Sequence, residues 1–262
     1  MTIVVDDPLI ERMAIRQVLP LHESSKRLRD LCPDAPRVYG VAVIGDLSRR
    51  RWWPLAEILD TDRLQVMFDA AVADAGSPVV AAQQLAAVLA HVVVGRVVPL
   101  LVLEGRAWDT GLENLWVHVD SERMIDWVGV LNPLLRALPA DPSLAVRGGI
   151  CDGIVALPSE AALTTWVAHR AHRALAPLFG RLHEVSGGVL TIPAMWHIVG
   201  SAVVAAASQL PLLVRDNGLS WPHAGTEEAG MRRAQGVLDA FVRFGAPVRG
   251  IDRPWQIEGL RN

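Results

Sequence analysis

The segment from Val79 to Leu103 is the most constraining feature of the sequence, because Ala, Val and Leu make up most of it. A membrane-spanning helix needs about 20 predominantly apolar residues. Polar side chains interrupt this segment at Gln83, Gln84, His91 and Arg96, and a central arginine is costly in lipid. The pattern therefore predicts a long helix buried in a protein core, and we expect no membrane span.

Helix-start residues precede several other segments with helical periodicity. The sequence predicts helices from Asp60 or Thr61 to Ala75, from Ser159 to Glu184, from Pro193 to Leu210, and from Thr226 to about Gly245. Ser48 is a candidate cap for a helix with Arg49–Trp53 in its first turn, but three arginines there oppose the helix dipole and suit a short anion-facing loop equally well. A short helix is also predicted over Asn132–Leu138. Runs rich in Val and Ile, or with alternating polarity, predict strands over Arg37–Gly45, Leu115–Val119 and Met124–Leu131.

These elements predict a helix-rich α+β fold, in which a few short antiparallel strands pack on long apolar helices. The absence of a regular strand–helix alternation disfavours a doubly wound nucleotide-binding sheet. We expect one domain over residues 1–262. The loop at 139–150 has the strongest linker character, and two lobes would meet there.

Charge and cysteine content limit the classes of partner and compartment. The net charge of −3 argues against non-specific nucleic-acid binding, which needs a basic surface. Met1–Asp7 has no basic flank leading into an apolar run, so no signal peptide is expected. Cys32 and Cys151 are the only cysteines, and we expect reduced thiols and a cytoplasmic location.

Two segments, Ser77–Asp120 and Leu175–Leu210, resemble the FhuF family of ferric-siderophore reductases in its actinobacterial form. The first has an alanine-rich helix, an arginine, a proline-containing helix end and a Trp-bearing strand. The second has Trp196 and His197 where the family has a Trp-Gly-Asn-like helix start. The resemblance implies a helix-rich fold that binds and reduces ferric hydroxamate siderophores.

The FhuF family holds a [2Fe–2S] cluster with a C-terminal cysteine motif, whereas this chain ends FGAPVRGIDRPWQIEGLRN. Such clusters need about four thiolate ligands, or two thiolates and two histidines. We therefore expect no [2Fe–2S] cluster, and the family's reductase mechanism does not carry over. Motifs of dinucleotide-binding, P-loop, α/β-hydrolase and zincin sites are also missing.

Histidines are the main remaining candidates for chemistry. His197 and His91 are candidate catalytic residues and candidate ligands of haem or iron, and Trp196 and Arg96 are expected to bind the same cofactor. For both histidines the alternative is a core ring with a structural partner. His169 and His172 are three residues apart on one predicted helix, a spacing that allows both rings to reach one metal. The alternative for that pair is a solvated polar helix face.

An arginine run next to two tryptophans is a separate binding signal. Arg49, Arg50 and Arg51 precede Trp52 and Trp53, and forked guanidinium donors beside aromatic rings can hold an anionic ligand. The alternative is a solvated basic turn.

The sequence thus predicts an FhuF-like protein that binds a small molecule: an iron chelate, haem or a related natural product. It would then catalyse a step in siderophore or secondary-metabolite biosynthesis. The alternative is a non-catalytic accessory protein that holds a siderophore or a partner, and a weaker option is a reductase with unusual cluster ligation. The oligomeric state is left open.

Overall fold

The computed structural model describes residues 18–47, 51–121, 123–145, 152–221 and 226–246. Met1–Asp7, Arg49, Arg50 and Cys151 therefore lie outside the described residues. The described helices are α1 Pro20–Asp30, α2 Glu57–Asp60, α3 Arg63–Ala75, α4 Pro78–Val93, α5 Val97–Glu104, α6 Pro142–Ala145, α7 Glu160–Val185, α8 Ile192–Asp216 and α9 Glu227–Arg243. The strands are β1 Ala42–Val43, β2 Trp52–Pro54, β3 Arg106–Trp108, β4 Leu115–Val119, β5 Ile125–Val130, β6 Leu135–Ala137 and β7 Ile154–Ala156.

The strands form two small sheets, with the orders β1-β5-β4-β2 and β3-β6-β7. The helix-rich α+β class is therefore confirmed. The sheets are mixed, however, and not antiparallel throughout as expected, because β1 pairs parallel to β5 and β6 pairs parallel to β7. In both parallel pairs a long stretch of chain connects the two strands, because parallel strands cannot be joined by a tight turn.

The predicted long apolar helix is a core element, but it consists of two helices, α4 and α5. Its most apolar window has a mean hydropathy of 2.2 and is 83% buried inside the protein. The break at 94–96 has a local cause: Pro99 has no N–H, and its ring would clash with the carbonyl four residues earlier in a continuous helix. Helix α8 is the other described stretch long and apolar enough to cross a membrane, with a mean hydropathy of 1.6 and 33% burial.

The other long helices begin where hydroxyl side chains cap them. Ser77, Ser159, Thr191 and Thr226 each accept a hydrogen bond from the backbone N–H three residues later. Such caps satisfy one of the donors left free at a helix start. The predicted bounds of α7 and α9 are confirmed within two residues.

Four local predictions differ from the structure. Trp52–Pro54 is a strand and not part of a helix, because pairing with β4 buries both tryptophan rings. Leu135–Ala137 is the central strand of the second sheet and not a helix. Of the predicted strand at 37–45 only Ala42–Val43 is extended, and the expected linker contains α6 before residues 146–150, which lie outside the described residues.

The first sheet separates two apolar clusters. The larger one runs from Leu21 in α1 to Ala246 after α9, and it includes nearly all of α5. The smaller one covers the other face of the sheet and contains Trp52 and Trp127 with Ile44. A single core cluster therefore connects elements from both ends of the described chain.

Gly129 in β5 sets how closely the smaller cluster packs on the sheet. A Cβ at this position would lie 2.6 Å from Ile44 Cδ1 and 2.9 Å from Trp52 Cζ3. Gly129→Ala is expected to lower the free energy of unfolding by about 1–3 kcal/mol, because both neighbours are buried and must shift. Urea denaturation measures this change. The control is Gly45→Ala, whose Cβ would meet nothing within 4 Å; equal losses in the two variants would contradict the packing argument.

Candidate functional site

A cleft of about 800 Å³ lies between the start of α3 and the ends of strands β2 and β4. Three arginines from separate parts of the chain line it: Arg51 before β2, Arg63 at the start of α3, and Arg123 in the β4–β5 turn. The other lining residues are Trp53, Thr61, Asp62, Val66, Met67, Val119, Asp120 and Ser121. The volume is typical of a small-molecule site.

Arg63 and Trp53 form the ordered part of this arginine cleft. The Arg63 guanidinium carbon lies 4.7 Å from the centroid of the Trp53 ring. Arg63 Nε donates a hydrogen bond to Glu57 Oε2 at 3.0 Å, so the guanidinium is held from two sides. Trp53 is only 6% exposed, because the rest of its ring packs into the main core. The pair therefore presents a fixed cation next to an aromatic surface.

Arg51 and Arg123 are the two described non-glycine residues with positive φ, at 65° and 66°. A left-handed backbone costs an L-residue with a side chain about 1–3 kcal/mol when it is not glycine. The chain keeps both arginines in spite of that cost, and both line the same cleft. The guanidinium groups of these two residues have no hydrogen-bond or ion-pair partner among the described residues. Strain of this kind concentrates at binding sites.

The charges of the described lining residues sum to +1, in a chain whose net charge is −3. Three arginines contribute +3, while Asp62 and Asp120 contribute −2. Asp120 Oδ1 accepts a hydrogen bond from the Met124 backbone N–H at 2.9 Å, so this carboxylate is used to build the turn. The exposed cations in the cleft can therefore bind an anion.

His91 is a half-buried ring whose two nitrogens are both enclosed. Its Nε2 lies 2.9 Å from the Val38 carbonyl oxygen, and its Nδ1 lies 2.0 Å from where a Cβ on Gly95 would be. Burial, with a smaller effect of the Arg96 charge, lowers the pKa of His91 to about 4. The ring is neutral at pH 7 and donates through Nε2–H to Val38. An iron atom bound at Nε2 would have to displace the contact with Val38.

Arg96 joins the helix break to the loop before β1. Its Nε donates to the Gly40 carbonyl at 3.2 Å, Nη2 to the Arg37 carbonyl at 3.0 Å, and Nη1 to the His91 carbonyl at 3.4 Å. The side chain is 4% exposed, and burial lowers its pKa to about 10. This geometry gives Arg96 a structural role at the break, and no cofactor contact is needed to explain it.

His172 and Trp196 are brought together by the packing of α7 on α8. Their rings stack with centroids 4.9 Å apart and an interplanar angle of 15°. The Phe244 ring lies next to both histidines, with centroid distances of 5.7 Å to the His169 ring and 6.1 Å to the His172 ring. The predicted metal pair therefore shares one aromatic neighbour, whereas His197 has no side-chain hydrogen bond or ring contact among the described residues.

The histidines that the sequence suggested do not form a complete set of ligands for a metal ion or haem among the described residues. Among the described residues, no three His, Cys, Asp or Glu side chains group in a way that could hold a metal ion. No hydrogen bond or ring contact within the described part of the chain joins His91 to His197. The assignments of these residues to catalysis, cofactor binding or metal binding stay predictions, and no chemical step is derived from them.

Comparisons with known proteins add no identification. The chain matches no family model, no curated protein and no solved structure. The resemblance to the FhuF family therefore depends on the two sequence segments that suggested it. Function must be argued from the geometry of the site.

Only part of the arginine cleft was predicted from the sequence. Arg51 and Trp53 were predicted as binding residues because they lie close together in the chain. Arg63 and Arg123 were missed, because they reach the cleft only through tertiary structure. Arg123 lies in a hairpin turn at a position where glycine or asparagine is usual, and this would have been the one local signal.

A second missed group is His118 with Asp126. His118 Nδ1 lies 2.6 Å from Asp126 Oδ1, and Arg37 forms an ion pair with the same carboxylate. The His118 ring also packs against Trp52, at 5.5 Å between centroids. These contacts tie the loop before β1 to the sheet, and we assign the group a structural role.

Proposed function

We propose that this protein binds an anionic small molecule in the arginine cleft. The observation that carries the proposal is the convergence of Arg51, Arg63 and Arg123 around Trp53, with two of the three arginines in strained backbone positions. A strained arginine whose guanidinium has no partner in the described part of the chain does not stabilise the fold through that group. Both guanidinium groups lie on exposed residues, where an anionic ligand can reach them.

The cleft favours a ligand with both charge and a flat or apolar part. Guanidinium groups bind carboxylates and phosphates through paired hydrogen bonds, which are stronger than neutral ones. The Arg63–Trp53 pair offers a planar surface for stacking beside those donors. Thr61 and Ser121 add hydroxyl groups at the rim.

An anionic ferric chelate is a probe of anion binding in this cleft that also relates to the FhuF resemblance, although the siderophores of that family are hydroxamates. Chelates of ferric iron by carboxylates or catecholates carry negative charge on oxygen atoms at their surface. The described lining residues include no histidine or cysteine, and the proposal is confined to binding. Catalysis of a biosynthetic step, with His197 or His91, stays an expectation of the resemblance.

Arg63→Gln is expected to weaken binding of an anionic probe by roughly tenfold to a hundredfold, because it removes a charge-assisted hydrogen bond. Isothermal titration with ferric citrate measures this loss, and a neutral ferric trihydroxamate tests whether charge is what the cleft recognises.

Arg123→Gly is expected to weaken binding similarly while leaving the melting temperature unchanged or higher, because glycine relieves the positive φ.

The matched control is Arg215→Gln, which removes an exposed arginine at the end of α8. Its affinity for ferric citrate is expected to equal that of the unmodified protein. Equal binding by Arg63→Gln and Arg215→Gln would rule out the arginine cleft as the site. If the neutral trihydroxamate binds more tightly than ferric citrate, and Arg63→Gln does not weaken it, the protein recognises the apolar surface of the chelate and not its charge.

A further inference from the structure

A second cleft continues the arginine cleft along helix α3. It has a volume of about 580 Å³ and lies between α3 and α4. The lining residues of the two clefts follow one another on the helix, with Val66 and Met67 in the first and Ala70 and Ala71 in the second. They adjoin again at the β4–β5 turn, where Arg123 lines the first cleft and Met124 the second.

The second cleft has an apolar floor and no cation among its described lining residues. Three alanines, at positions 70, 71 and 87, keep the side chains of the two helices short, so a gap stays open between them. Val88 and Met124 form its walls, and a methionine adapts to ligands of different shape. Asp74 and Gln84 are the polar lining residues.

The lining of the two clefts therefore changes along α3, from cationic through apolar to acidic. Arg63 lies at the start of α3, apolar residues follow, and Asp74 lies near the end of the helix. Asp74 would repel an anion at its own end of the groove, which leaves the arginine end for the charged group. From Arg63 to Asp74 the helix rises about 16 Å, at 1.5 Å per residue. Since an extended zigzag chain advances about 1.3 Å per carbon–carbon bond, a chain of roughly thirteen or fourteen carbons covers this distance.

We infer that the ligand is a single-chain amphiphile whose anionic head binds the arginine cleft and whose apolar tail lies in the groove between α3 and α4. This inference rests on the proposed function and names the class of ligand. A compact anion would fill only the first cleft. An uncharged hydrocarbon would make no use of the guanidinium groups that line the first cleft.

The test compares probes that share a head and differ in tail length. Inorganic phosphate and the butyl, octyl and dodecyl monoesters of phosphate are titrated calorimetrically, each below its micelle concentration. Dodecyl phosphate is expected to bind at least about a hundredfold more tightly than butyl phosphate, because each buried methylene adds about 0.8 kcal/mol. Arg63→Gln is expected to weaken all three esters by a similar factor.

Ala87→Trp fills the groove from an exposed position on α4 and is expected to remove the dependence on chain length. The affinity for butyl phosphate is expected to stay the same. The control is Ala73→Trp, which adds the same bulk at an exposed position of α3 outside both clefts. It is expected to keep the full chain-length dependence.

The possible outcomes distinguish failure of this inference from failure of the proposal that the arginine cleft binds an anion. Binding that depends on Arg63 but not on tail length overturns the amphiphile and leaves anion binding standing. A chain-length dependence that survives Ala87→Trp also overturns the inference, since the tail must then bind elsewhere. If no probe binds, or if binding is independent of Arg63, both the inference and the proposed function fail.

Discussion

Replacing Arg106 by methionine is expected to lower the free energy of unfolding by about 3–5 kcal/mol. Arg106 is fully buried in β3, and its guanidinium is the centre of an ion-pair network. Methionine fills a similar volume without charge. The loss therefore comes from the partners that remain, more than from a cavity.

The partners of Arg106 are two carboxylates that have almost no contact with solvent. Its Nε and Nη2 donate to Asp141 at 2.6 and 2.8 Å, and its Nη1 donates to Glu104 at 3.3 Å. The side chains of Asp141 and Glu104 are 2% and 0% exposed. Ser24 and Ser143 accept further hydrogen bonds from the same guanidinium. Without Arg106, Asp141 loses its bidentate partner while its carboxylate stays buried.

Urea denaturation at pH 7 measures the effect, provided that the variant is folded enough to give a native baseline. Arg232→Gln is the control, because it removes an arginine that is 58% exposed and 3.8 Å from Glu160. That change is expected to cost less than about 1 kcal/mol, as surface pairs do. If Arg106→Met and Arg232→Gln are equally stable, the network does not contribute to folding in the way its burial indicates.

The helices were largely predictable, because their signals are local. Ser159 and Thr226 cap helices whose apolar residues recur at helical spacing, and both helices formed where expected. The failures have a tertiary origin. Trp52–Pro54 became a strand through pairing with β4, and Leu135–Ala137 became one through pairing with two other strands. No local pattern in these three-residue segments reports which strands will lie next to them.

The candidate site was predictable only where its residues are neighbours in sequence. Arg51 and Trp53 were suggested by adjacency, whereas Arg63 and Arg123 join them through the packing of α3 and the β4–β5 turn on the sheet. His91 shows the opposite limit. Its position in an apolar helix allowed either a ligand role or a core role. The contact with the Val38 carbonyl fits the core role, and the ligand role stays a prediction.

His91 is expected to make the protein less stable as the pH falls from about 6.5 to 4. Burial holds its pKa near 4 in the folded state, below the ordinary value of 6.5. Between these two values the unfolded chain takes up a proton that the folded protein does not, so acid favours unfolding. The contribution of neutral His91 is therefore fully present above pH 6.5 and is lost as the pH falls toward 4.

His91→Gln removes this titration and can still donate an amide hydrogen bond toward the Val38 carbonyl. The difference in free energy of unfolding between wild type and variant is expected to fall by about 2 kcal/mol from pH 7 to pH 4.5, since each unit of pKa shift corresponds to about 1.4 kcal/mol. Urea denaturation at four or five pH values measures this difference, and NMR of the imidazole Cε1–H follows the ring directly. A difference that stays constant with pH would mean that His91 is not held neutral by burial. An absorption band in the purified protein that disappears in His91→Gln would instead assign the ring to a cofactor.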